Sequence, residues 1–163
     1  SHRFRQADIP GGKQLVSSEF LKEVLAADVL IAAPVAKHHG STGVSLSMKG
    51  MMGLIEDRGA LHWKYDLNTA IVDLCTKLRA DLTVVDATRA LTSEGPSGPG
   101  NVVRPNTVIA SRDMVAADAK AVSQIQWYGR SIPPEKVGHI REAHDRGFGR
   151  MDVENLSTGT IEA

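Results

Sequence analysis

The chain has 163 residues, which is enough for one substantial hydrophobic core and lies within the span of roughly 100–200 residues usual for one domain. Hydrophobic residues make up 42% and charged residues 23%, a balance too apolar for an intrinsically disordered chain. Nineteen Lys and Arg balance nineteen Asp and Glu, which excludes an overall field favouring nucleic acid or an acidic membrane surface and leaves partners to be argued from local clusters.

The only cysteine, Cys75, excludes an internal disulfide and cannot supply the set of thiolates that an iron-sulfur cluster requires, so no such cluster is expected within this chain. No apolar run approaches the roughly 20 residues that cross a bilayer, so no membrane span is expected. The sequence begins Ser1-His2 rather than with Met, which leaves an upstream region or export signal open, with the cytoplasm favoured for the visible chain.

In chain order, Ser17-Ser18 offers a helix cap before FLKEVLAAD, and Asp28 leads into VLIAAPV, a short apolar run of the kind that buried strands show. Pro34 is read as ending that strand, with KHHGSTG as loop at its carboxyl end. Residues Val44 to Ile55 can make a helical apolar face, weakened by two glycines. The surest helix is LNTAIVDLCTKLRA, where Leu67, Ile71, Leu74, Cys75 and Leu78 recur at spacings of three and four. LTVVDA reads as a second buried strand closed by Asp86, and the Gly- and Pro-rich TSEGPSGPGNVVRPN as a loop. TVIAS follows as a third strand, MVAADAKAVSQIQW as a helix capped by Asp113, and PPEKVGHIREAHDRG as a last helix closing at Gly147. The alternation predicts a single layered α/β domain with a largely parallel sheet flanked by helices.

The segment richest in chemistry is Lys37-His38-His39-Gly40-Ser41-Thr42-Gly43, continued by Ser45, Ser47 and Lys49. Glycines let a ligand approach the backbone, while hydroxyls, amides and ammoniums donate to a phosphate or carboxylate. The alternative is a polar turn capping a helix at Ser41 or Thr42. Neither a Walker loop nor a dinucleotide fingerprint is present. His62 and Asp66, four apart, would share one helix face as an acid-base pair, unless Asp66 caps a helix instead. Asp86 and Arg89 put an acid and a base near the strand ends, where a structural salt bridge is equally consistent. His39, His62 and Asp86 are the candidate metal ligands, although their spacing matches no established signature. Cys75 falls on an apolar helical face, Asp118 faces core or site, and His139 and His144 are read as exposed on the last helix.

ADVLIAAPVAKHHGSTGVSLSMKGMMGLIEDRGALHW resembles the bacterial and archaeal domain-of-unknown-function family 362, and DLNTAIVDL, LTVVDATRAL, EGP and TVIASRDMVAADA follow in that family's order across nearly all of residues 20–150. Two positions depart from it: Gly50 stands where Asn commonly follows the lysine, and Met114 where Pro commonly follows the aspartate. Members are often joined to ferredoxin-like modules, so the resemblance implies a redox setting, and the family domain normally extends upstream of the segment that begins here. The matching polar positions are Lys37, His39, Lys49, His62, Asp66, Asp86, Asp113 and Asp118.

Three functional expectations follow. The first is an enzyme domain in redox metabolism that binds an anionic small molecule or cofactor through Lys37, His39, Ser41, Thr42, Lys49, Asp86 and Arg89, with His62 and Asp66 handling protons. The second is a non-catalytic module that docks to an iron-sulfur electron carrier. The third is metal-assisted chemistry on His39, His62 and Asp86.

Overall fold

A computed structural model describes residues 2–162. Strands β1 (Phe4–Asp8) and β2 (Ser17–Leu21) form an antiparallel ribbon, followed by the short helix α1 (Lys22–Ala26). The expected helix over FLKEVLAAD therefore forms only over Lys22–Ala26, its first two residues belonging to β2. Pairing with β1 recruits Ser17–Leu21, places Phe20 fully in the core and leaves the helix without a side-chain cap.

The main sheet is built around β6 (Leu82–Leu91). Strands β3 (Ile31–Ala32) and β4 (Val35–His39) both run parallel to it, and Ile31 opposite Leu82 and Val35 opposite Asp86 share one register. Pro34 interrupts this ribbon rather than ending it, and its carbonyl accepts from the Asp86 amide at 2.8 Å. Lys37, His38 and His39 consequently lie on a strand, not in a loop, and a tight turn leads to the antiparallel β5 (Gly43–Ser45). Strands β7 (Val102–Val103) and β8 (Thr107–Ser111) add to β6 antiparallel, since the chain returns to the sheet through the 92–101 loop without a crossover helix.

The helices are α2 (Ser47–Gly50), continued by a 3-10 turn Met51–Leu54, then α3 (Leu61–Lys64), α4 (Leu67–Lys77), α5 (Met114–Gln124) and α6 (Gly138–Asp145). The single helix expected over Val44 to Ile55 is thus a strand, one helical turn and a 3-10 turn. The expected helices over LNTAIVDLCTKLRA and MVAADAKAVSQIQW form, capped by Asp66 and Asp113. Gly147 closes the last helix with a positive φ of 69°, a conformation that glycine adopts freely.

These elements give the expected layered α/β arrangement. Helix α5 packs on β6 and β8, and α4 and α6 pack beyond it. One hydrophobic cluster fills the space, including Val85, Ala87, Leu74, Val122 and Ile140. The pleat sends Thr83, Val85 and Ala87 inward, whereas the opposite face carries Ile31, Val35 and Val108 at 56%, 46% and 57% exposure. Among the described residues, no helix is long and apolar enough to cross a membrane.

Candidate functional site

The period of a strand sets up the site. Ala36 and His38 point into the interior from β4, so Lys37 and His39 point out of it, and Ser45 sits directly opposite Lys37 across the β4–β5 ladder. The register shifts here, since two steps along β4, from Val35 to Lys37, pass five along β6, from Asp86 to Leu91. Lys37 and His39 thereby meet Lys49 from α2, Arg58 and Gly59 from the next turn, and His62 from α3. Together with Gly50, Met52, Gly53 and Pro96 they line a cleft of about 410 Å³.

No carboxylate lines this cleft, and among the described residues Lys37, Lys49 and Arg58 form no salt bridge. Lys49 is only 8% exposed, and the contact found for its ammonium is the Met52 thioether at 3.5 Å, a weak acceptor. Burial first, then the Lys37 and Arg58 charges, lower its pKa from the ordinary lysine value.

The His39 and His62 rings stack at 5.8 Å between centroids and 23° between planes. Burial, followed by the charges of Lys49, His62, His38 and Lys37, pushes His39 down to about 4, so this ring is neutral at neutral pH. Its Nδ1 accepts from the Ser41 amide at 3.2 Å, which assigns the proton to Nε2 and makes that edge a donor. Burial and then Lys49 lower His62 as well, and among the described residues no protein group hydrogen-bonds its ring nitrogens.

Several expected site residues lie elsewhere. Asp66 does not pair with His62, because the extended backbone at Tyr65 (φ −131°, ψ 163°) ends α3, and Asp66 then caps α4 by accepting from the Thr69 amide at 3.0 Å. Replacing Asp66 by alanine is expected to cost about 1 kcal/mol in urea unfolding and to leave ligand binding at the cleft unchanged; a binding defect at full stability would restore its place in the site. The Ser41 side chain and Thr42 are outside the lining, and Thr42 turns its hydroxyl to the Val44 carbonyl at 2.9 Å. Asp86 lies mid-strand on the open sheet face, opposite Val35 and Val108, and accepts from the Thr88 hydroxyl at 2.7 Å and amide at 2.9 Å, which hold its carboxyl below the ordinary range. It forms no ion pair with Arg89 among the described residues and does not join His39 and His62, and no group of three or more His, Cys, Asp or Glu side chains there converges as a metal-ligand set. His38, next to His39 but on the other pleat face, accepts from the Gly95 amide at 3.1 Å and anchors the 92–101 loop.

Deeper supports hold the cleft in place. Asp118 of α5, fully buried, accepts from the Ser47 and Met48 amides at 2.9 and 3.0 Å and so ties down the turn that carries Lys49. Burial raises its carboxyl to about 6 despite those bonds. His139 is fully buried rather than exposed, and burial, then the Lys49 and His39 charges, push it down to about 3. Cys75 is buried with its thiol donating to the Met48 carbonyl at 3.5 Å, and burial drives its pKa up, which suits core packing.

Sequence reasoning missed Arg58, Gly50, Gly53 and Pro96. Arg58-Gly59 inside the polar run EDRGALHWK was the one available signal for the first of these. In a second hollow of about 440 Å³, lined by Arg79, Ala80, Asp81 and Arg112, Arg79 lies 4.7 Å from the Phe148 ring and Asp81 holds the Leu30 amide at 2.8 Å.

The sequence pattern of the family described as Domain of unknown function (DUF362) matches residues 2–123, three quarters of the chain. The chain belongs to this family. The DUF362 match takes in all of the cleft residues, from Lys37 to Pro96, and stops within α5. Comparison with curated proteins gives no match, and comparison with solved structures gives none.

Proposed function

We propose that this domain binds a small anionic substrate or cofactor in the cleft between β4 and α2 and is the catalytic part of an enzyme acting on it. The observation that carries this reading is the charge of the lining: Lys37, Lys49 and Arg58 share one cleft with two imidazoles and no carboxylate. Three cations held together without counter-charge repel one another, and an anion relieves that repulsion. The cleft also opens at the carboxyl end of β4, the edge where ligands of α/β sheets bind.

The two histidines divide the proton work. His39 offers an Nε2–H to an oxygen of the ligand. His62, its lone pair uncommitted, is the base that takes a proton, a role that the capping engagement of Asp66 leaves to it alone.

Calorimetric titration with orthophosphate, on the unaltered chain and on Lys49→Met, tests the reading. A lost charge-assisted contact predicts affinity weaker by roughly ten- to a hundredfold in Lys49→Met, with thermal stability retained. Equal affinity in the two proteins, or no binding of any simple phosphate or carboxylate by the unaltered chain, would overturn it.

A further inference from the structure

We propose that the ligand is a compact polyanion, a small molecule with at least two adjacent phosphoryl or carboxylate groups, seated against the backbone of Gly50 and Gly53 between Lys49 and Arg58. This narrows the anion-binding reading of the cleft and rests on it.

The first support is charge. A ligand with one anionic group that meets Lys37 and Lys49 leaves the Arg58 guanidinium without a partner in the cleft. Lys49 has no freedom to swing away, because it is almost fully buried and sits on a turn whose amides are held by Asp118. Two adjacent anionic groups let one oxygen set meet Lys37 and Lys49 while the other takes the planar fork of Arg58, the side chain best shaped for two-point contact.

The second support is independent of charge and comes from the two glycines. Gly50 has φ −58° and ψ −30°, ordinary helical values open to any residue, and Gly53 is likewise outside the left-handed region. A Cβ built on either glycine meets no atom within 4 Å. Neither backbone conformation nor protein packing therefore calls for glycine, although glycine within a helix costs roughly 0.5–1 kcal/mol relative to alanine. Both residues are exposed and line the cleft, so a methyl group there would enter open space that a ligand in the cleft can occupy. A ligand group pressed against the α2 backbone supplies the reason that the protein interior does not, and since Asn commonly stands at the position of Gly50 in the family, the close seat there is particular to this chain.

Titration calorimetry at constant ionic strength with orthophosphate, pyrophosphate, acetate and citrate, on the unaltered chain and on Gly50→Ala, tests the proposal. Pyrophosphate or citrate is expected to bind at least about tenfold tighter than its single-group counterpart, and whichever is tighter identifies phosphoryl or carboxylate chemistry. Gly50→Ala is expected to melt at the same temperature or higher and to weaken that binding by about tenfold or more. Equal affinity for one- and two-group anions, or unchanged binding in Gly50→Ala, would overturn the polyanion proposal while leaving the anion cleft standing. Failure of all four anions to bind the unaltered chain would sink both.

Discussion

Replacing Asp73 by alanine should destabilise the chain by roughly 3–5 kcal/mol, the range seen when one member of a buried ion pair is removed. Asp73 lies on α4 at 0% exposure and accepts from the Gln14 and Leu15 amides at 2.8 and 2.9 Å. Its other oxygen takes Nη1 of Arg146 at 2.8 Å, and Arg146 reaches on to the Gly11 carbonyl at 2.6 Å. One carboxylate thus joins α4, the segment after β1 and the end of α6. Burial alone would raise its pKa, but the backbone bonds from Gln14, Lys13 and Leu15 and the Arg146 bond outweigh it and leave the group below its ordinary value. Truncation leaves two amides without their acceptor and takes from Arg146 the shorter of its two carboxylate contacts, leaving it Glu142 at 3.3 Å and the Gly11 carbonyl. Urea unfolding of Asp73→Ala beside Asp73→Asn provides the measurement, with the asparagine variant intermediate because it keeps shape and one acceptor. A loss below about 1 kcal/mol in the alanine variant would contradict this account.

Stability is also expected to fall as the solution is acidified, by a route that runs through His139. The ring is fully buried, its Nε2 has no partner, and its Nδ1 lies 3.4 Å from Asn68 Oδ1. Its pKa drops from 6.5 to about 3 on folding. The unfolded chain therefore takes up this proton first as pH falls. The contribution is whole above pH 6.5 and is lost progressively below it, down to about 3. One proton bound only in the unfolded state gives about 1.4 kcal/mol per pH unit, and because the unfolded ring is half protonated at pH 6.5 the change down to about pH 4.5 is roughly 2 kcal/mol. Asp118, raised to about 6, acts in the opposite sense, since the folded state gains a proton there as pH drops. It is present in both members of a comparison between the unaltered chain and His139→Gln, so it cancels. Urea unfolding across that pH interval should give curves that diverge by the His139 share; parallel curves would mean that the ring does not titrate as described.

How far the sequence foretells all this depends on the range of the interaction concerned. Leu67, Ile71, Leu74 and Leu78 carry their own period and Asp66 its own cap, so α4 was readable from eleven or so consecutive residues. Ser17–Leu21 looked like a capped helix start because nothing within it announces that Phe4–Asp8 will pair with it. The pairing of His62 with Asp66 assumed an unbroken helix across Tyr65, and a single extended residue undoes it. His139 sits among Glu, Arg and His in a polar run, yet it shares its buried side with Ile140 and Ala143, a relation obscured by the charges around it. Within the cleft, Lys37, His39, Lys49 and His62 were identified from residue type and segment. Arg58 and the cleft-lining glycines Gly50 and Gly53 emerge only when three short elements fold over one strand end.

The bare face of the sheet carries a consequence for the chain in bulk solution. Ile31, Val35 and Val108 present apolar surface on a molecule whose formal charge sums to zero at pH 7. With no net charge, two copies meeting in solution feel no long-range repulsion, and only near-surface charges such as Asp86 and Arg89 hinder contact between these faces. Ile31, Val35 and Val108 then add to the apolar surface through which copies can associate near neutral pH, and a basic side chain at Val108, directly opposite Asp86, would interrupt that surface without setting like charges side by side.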